Sequence, residues 1–160
     1  MQIYILRHGI AEDRRPGRSD AGRALTDDGR EKLSAVLRRA QGAEVAVTKI
    51  LTSPLRRAVQ TAEMAAEALA PGTRPIRTDA LAPESSPERV WAELRKYAGE
   101  PAVLIAGHEP LLSATAAFLL RAGPSIIDLK KGALARIDVD ENTDRPQGVL
   151  EWLLPPKLAK

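Results

Sequence analysis

Two histidines occur in this chain of 160 residues, and each directly follows an apolar run, in Leu6-Arg7-His8-Gly9 and in Ala106-Gly107-His108-Glu109-Pro110. One histidine alone is most often a hydrogen-bonded structural residue. Two of them, each beside a glycine where an apolar run stops, point to a shared site. A third segment, Thr52-Ser53-Pro54-Leu55-Arg56-Arg57-Ala58-Val59-Gln60-Thr61-Ala62, sets arginines in the first turn of an expected helix. Positive charge there opposes the helix dipole, and an anion facing it would relieve the conflict. Guanidinium groups match phosphate oxygens bidentately, and a neutral imidazole can attack phosphorus without a metal. The chemistry these residues suit is phosphoryl transfer through a histidine. A metal centre lacks support, because no His-x-x-x-His pattern or acidic cluster accompanies the pair, so neither metal nor other cofactor is expected.

The elements that must position these groups alternate along the chain. Residues 2–6 read as a strand buried on both faces. A loop follows, and Thr26 is the expected N-cap of a helix with Asp27 and Asp28 in its first turn, Leu33, Val36, Leu37 and Ala40 as its apolar stripe, and Gly42 as its stop. Residues 45–51 form the second expected strand and residues 55–69 a helix whose apolar face is largely alanine, small enough to lie close on a sheet. A weak strand near Ile76 precedes a helix with Ser86 and Pro87 at its N-cap and first position and with Val90, Trp91, Leu94 and Tyr97 inward. Residues 102–106 are the third clear strand, leading into His108 and an apolar helix over residues 111–120. Residues 133–139 and 149–153 flank a polar turn and suggest an antiparallel pair. The pattern predicts an α/β three-layer sandwich in one domain spanning residues 1–160. Its central sheet is mostly parallel, with helices on both faces and the C-terminal antiparallel strand pair added. Ligands of such sheets bind at the carboxyl ends of the strands, where both histidines fall.

Composition narrows the partners. The absence of cysteine excludes disulfides, thiolate zinc sites and cysteine nucleophiles. A formal charge of +3 is too mild to argue for nucleic acid, and scarce aromatics leave no base-stacking surface. Residues 1–6 lack a basic leader pattern and residues 111–120 are too few to span a bilayer, so a cytoplasmic monomer off the membrane is expected. Arg14, Arg15, Arg18 and Arg23 crowd the loop after His8, either as a solvated loop or as an electropositive rim that attracts an anion.

Taken together, Arg7-His8-Gly9, Ser53-Pro54-Leu55-Arg56-Arg57-Ala58 with Gln60-Thr61-Ala62, and Gly107-His108 resemble the motifs of the histidine phosphatase superfamily, which has the phosphoglycerate mutase-like fold. The resemblance covers most of the chain. It implies that His8 forms a phosphohistidine intermediate, that Arg7, Arg57 and His108 hold the phosphoryl oxygens, and that water then attacks the intermediate. Arg57, which directly precedes alanine as the family pattern requires, takes that role rather than Arg56. Gly9, Asp20, Arg23 and Ser53 are expected to complete the substrate contacts.

The short chain, the continuation of Arg7-His8-Gly9 as Ile10-Ala11, and the segment containing Asp20, Arg23, Leu25 and Thr26 resemble the SixA-type branch of phosphohistidine phosphatases. That resemblance implies a phosphorylated protein substrate such as a histidine-phosphotransfer domain. Larger relatives place an acid after the third strand, and Glu84 is the nearest candidate here, with Asp20 and Glu109 behind it. A phosphoramidate leaving group departs as imidazole and needs less protonation than a sugar alkoxide, so a missing acid favours phosphohistidine over sugar phosphate. The competing readings are a small-molecule phosphomonoesterase or mutase with the same pocket, and a nonenzymatic phosphate-binding module. Retention of His8 speaks against the latter, since binding alone needs only the arginines.

Overall fold

The structure is a computed structural model describing residues 1–124 and 126–160. Strands β1 (Gln2–Arg7), β2 (Lys49–Thr52), β3 (Ile76–Arg77), β4 (Ala102–Gly107), β5 (Leu134–Asp140) and β6 (Gln147–Leu154) form a sheet in the order β3-β2-β4-β1-β5-β6. Pairings among β3, β2, β4 and β1 are parallel, whereas β5 runs antiparallel to β1 and β6 antiparallel to β5. The expected α/β sandwich with its C-terminal antiparallel pair is therefore the fold.

Alternation along the central strands sorts the side chains into two cores. Tyr4 and Leu6 of β1 and Leu104 of β4 pack beneath α1 (Asp27–Gly42) and α2 (Arg56–Leu69). Ile3, Ile5, Val103 and Ile105 face the other way, against α3 (Pro87–Arg95) and α4 (Leu111–Leu119). Each strand is apolar on both faces because each face has its own helical cover. In α2 the residues against the sheet are Ala58, Ala62 and Ala65, all fully buried, together with Ala66 and Leu69. Among the described residues no helix is long and apolar enough to cross a membrane.

Several boundaries differ from the sequence reading for identifiable reasons. Residues 45–48 do not start β2, because Val45 and Val47 donate their amides to Ala40 and Leu69 at the ends of α1 and α2 instead of to a neighbouring strand. Gly42 is still helical, Ala43 is the C-cap, and the left-handed residue is Glu44 with φ of 58°. The weak strand at Ile76 shrinks to two residues that meet only the end of β2. Thr26 does cap α1, its hydroxyl accepting from Gly29 at 3.0 Å, and Ser86 likewise caps α3.

Gly29 has a further reason to be glycine. The loop leaving β1 crosses the first turn of α1 so closely that a Cβ at Gly29 would lie 2.1 Å from the carbonyl oxygen of Ile10. That carbonyl also accepts from the Thr26 amide at 3.0 Å, so it cannot retreat without breaking the cap region. Gly29→Ala is expected to cost about 2 kcal/mol or more of unfolding free energy through overpacking. Gly42→Ala, with open space around it, is expected to gain about 0.5–1 kcal/mol from helix propensity. Denaturant midpoints of the two variants against wild type check the contrast.

Candidate active site

The parallel register of β1 and β4 pairs Arg7 with Gly107, so each histidine is the residue immediately beyond a paired strand end. The His8 amide continues the ladder by donating to the Gly107 carbonyl at 3.0 Å. On the other side, Gly132 donates its amide to both the Arg7 and His8 carbonyls at 3.1 Å. The backbone that carries His8 is thus clamped from β4 and from the approach to β5. The two imidazoles lie 5.2 Å apart between ring centroids and are tilted by 56°. They line a pocket of about 220 Å³ together with Arg7, Arg57, Asp20 and Arg23.

One nitrogen of each ring is committed. His8 Nδ1 lies 2.7 Å from the carbonyl oxygen of Gly9, an acceptor only, which fixes the proton on Nδ1 and leaves the lone pair on Nε2. Burial pushes the His8 pKa down to about 4, with the charges of Arg57, Arg7 and Lys131 acting in the same direction. His108 Nε2 is 2.7 Å from the Ser53 hydroxyl, and that hydroxyl oxygen already accepts the Leu55 amide at 3.3 Å. Ser53 can then donate its proton to Nε2, which places the ring proton on Nδ1, a buried atom with no partner. Burial, followed by His8 and Arg57, lowers the His108 pKa to about 3. Both rings are neutral at pH 7.

The arginines are held from behind. Arg7 donates Nη1 to the Leu129 carbonyl at 2.7 Å. Arg57, only 4% exposed, donates Nη1 to the Asp20 carbonyl at 3.0 Å and Nη2 to the Asp20 carboxylate at 3.2 Å. Asp20 also pairs with Arg23 at 2.8 Å and Arg14 at 3.3 Å. Partial burial works to raise the Asp20 carboxyl, but the charges and hydrogen bonds of Arg57 and Arg23 hold it below the ordinary carboxylate value. It is ionised at neutral pH and is no proton donor. Among the described residues, five buried side-chain atoms have no hydrogen-bond partner, and three of them belong to this pocket: Arg7 Nε, Arg57 Nε and His108 Nδ1. Buried polar groups are rarely left unpaired. Three unpaired nitrogens on residues of one pocket fit a ligand that brings several anionic oxygens.

His8, Arg7, Arg57, His108, Asp20 and Arg23 are brought together as the sequence reading expected, and Arg56 is exposed beside them. Gly9 and Ser53, expected as substrate contacts, do not line the pocket: the Gly9 carbonyl meets His8 and the Ser53 hydroxyl meets His108. Glu84 is exposed and outside the pocket, where its neighbour Pro83 forms the wall instead. Glu109 does line the pocket, with Oε1 accepting the Ser113 amide at 2.9 Å in the first turn of α4. Sequence reasoning missed Lys131, which lies on the pocket wall, although two adjacent lysines before Gly132 were visible. It also missed the role of Thr61, whose hydroxyl accepts from the Gly9 amide at 3.2 Å and donates to the Arg57 carbonyl at 2.8 Å. Thr61 thereby couples the loop carrying His8 to the first turn of α2.

The sequence model of the histidine phosphatase superfamily (branch 1) matches residues 3–86. Phosphohistidine phosphatase SixA of Escherichia coli K12 is 30% identical over 166 residues, covering 100% of this chain and 99% of its own length. An uncharacterized protein of Picosynechococcus sp. is 38% identical over 171 residues, covering 97% of this chain and 100% of its own. The solved structure of the protein histidine phosphatase SixA complexed with tungstate superposes with a TM-score of 0.88 at 28% identity, covering 100% of both chains.

The low histidine pKa values have a measurable signature. Both rings titrate in the folded chain below the ordinary value of 6.5, so between that value and about 4 the unfolded chain binds more protons than the folded one. The stability they contribute is present above pH 6.5 and is lost as pH falls toward 4. Histidine ring resonances followed by NMR are expected to stay neutral at pH 6, and the unfolding midpoint is expected to drop across that window. Added inorganic phosphate should move the titrations upward, because an anion beside the rings favours their charged forms.

Proposed function

The chain belongs to the histidine phosphatase superfamily, in its SixA-type branch, and from that premise we propose that it removes the phosphoryl group of phosphohistidine on a protein, with His8 as nucleophile. One observation carries the reading. The neutral, tautomer-fixed His8 shares its pocket with Arg7, Arg57 and His108, each of which keeps a buried nitrogen without a partner. Tungstate, the ligand of the SixA structure, is a tetrahedral oxyanion of phosphate's shape and adds support for oxyanion chemistry.

In this reading the Nε2 lone pair of His8 forms the new N–P bond as the bond from phosphorus to the substrate ring nitrogen breaks. The electron pair of the broken bond leaves with the substrate imidazole, which departs neutral when its other nitrogen carries a proton. Phospho-His8 keeps its Nδ1 proton, so the ring becomes cationic, and the Gly9 carbonyl that accepts that proton stabilises the charge. Water then attacks phosphorus, the N–P electron pair returns to Nε2, and the water's protons pass to phosphate and solvent. Arg7, Arg57 and His108 stabilise charge on the equatorial oxygens in both steps. Neither departure is an alkoxide, so neither needs a strong general acid. That agrees with an ionised Asp20 and an exposed Glu84.

His8→Ala is expected to abolish turnover of phosphohistidine protein and of an activated aryl phosphate, chelator present or not. Arg57→Ala is expected to lower kcat/KM by a factor of about 100, the scale of losing one main charge stabiliser. Wild type should favour phosphohistidine over sugar phosphates in a parallel panel, and trapped enzyme should carry acid-labile, base-stable label. Full activity of His8→Ala would sink the mechanism, and preference for a sugar phosphate would sink the substrate.

A further inference from the structure

Beside the pocket lies a second, larger depression of about 580 Å³ whose walls include Arg15, Arg18 and Arg56, and which shares Arg14, Asp20 and Arg23 with the first. Its loop is closed at the base. Ala11 bridges Leu25, the Glu12 amide donates to the Ala24 carbonyl at 2.8 Å, and the Leu25 amide donates to Gln60 of α2 at 2.8 Å. At its far end Arg15-Pro16-Gly17-Arg18 makes a turn in which Arg18 donates its amide to the Arg15 carbonyl at 3.2 Å. Proline at the second position and glycine at φ of 75° at the third have the pattern of a type II turn. Such a turn brings its first and fourth residues side by side, and here both are arginines.

Charge pairing divides the arginines around the two pockets into two sets. Arg14, Arg23 and Arg57 converge on Asp20. Arg15, Arg18 and Arg56, on the walls of the larger depression, make no ion pair among the described residues. The carboxylates on the same walls, Glu12, Asp13 and Asp20, are outnumbered by Arg14, Arg15, Arg18, Arg23 and Arg56, so the depression keeps a net positive charge. A free phosphoester small enough for the 220 Å³ pocket ends at its mouth. A protein whose phosphohistidine enters that pocket lays its neighbouring surface over the arginines.

We propose that this arginine loop is a docking surface for carboxylates that flank the phosphohistidine on the substrate protein. The proposal rests on the reading of the substrate given above and adds which surface that substrate presents. Exposed guanidinium groups act over about one Debye length, so they steer and orient the partner and leave the chemical step alone.

The test compares wild type with Arg15→Glu/Arg18→Glu and Arg15→Ala/Arg18→Ala on a histidine-phosphotransfer domain phosphorylated on its histidine and on free phosphohistidine. For the protein substrate the glutamate pair is expected to raise KM about tenfold or more with kcat unchanged, and the alanine pair to fall between. Added salt should weaken wild-type kcat/KM on the protein and should have less effect on either variant. Free phosphohistidine should be cleaved within about twofold of wild type by all three, because no partner surface reaches the loop. Equal losses on both substrates, or no loss on the protein, would overturn the docking surface. If wild type cleaves an aryl phosphate but not the phosphorylated domain, the reading of the substrate fails and the docking surface with it.

Discussion

Everything at the site depends on the parallel pairing of β1 with β4. Strand pairing is quantised in steps of one residue, and a slip of one would turn every side chain of β1 to the opposite layer. With Tyr4 and Leu6 claimed by one core and Ile3 and Ile5 by the other, such a slip is blocked at four positions. The register that remains sets Arg7 opposite Gly107 and the two imidazoles side by side. Packing of apolar residues well below the pocket therefore decides how far apart the two imidazoles lie. It also decides their charge, since the same closeness that buries the rings keeps them neutral.

Neutral histidines among arginines would be an unbalanced arrangement without Asp20. Its carboxylate and carbonyl take the Nη atoms of Arg57, which orients the guanidinium and leaves Nε uncommitted. The Leu129 carbonyl does the same for Arg7 and the Ser53 hydroxyl for His108. In each case one polar atom is held by a protein partner and another is left unpaired. The pocket is thus organised before an anion arrives, the condition under which electrostatic stabilisation is most effective.

Much of this was legible in the sequence, for local reasons. Both histidines could be assigned to one sheet edge because Ile3 to Leu6 and Val103 to Ile105 are apolar without alternation, as strands covered on both faces must be. Helical phase was visible too: Arg57 and Thr61 are one turn apart and bury together, whereas Arg56 falls on the exposed side. The illegible features depend on contacts between distant segments. Ser53 looked like a binding residue because it starts the motif, yet its partner is 55 residues away and hidden in the interior. Glu84 and Glu109 are both acids in loops, and only the path of those loops through space puts one on the pocket wall and the other outside. Gly29 reads as an indifferent residue in a first helical turn until the loop from His8 is laid across it.

The alanines of α2 carry a consequence beyond packing. Ala58, Ala62 and Ala65 set the stand-off between that helix and the sheet, and Arg57 rides at the helix's leading end while its target is anchored to β1. The helix is therefore a spacer gauge: its thickness on the sheet side fixes where the guanidinium comes to rest relative to His8. Catalysis is sensitive to displacements near an ångström. A core residue far from the chemistry can consequently be too thick for turnover while still being thin enough to fold, so the geometric tolerance of this enzyme is tighter than the tolerance of its fold.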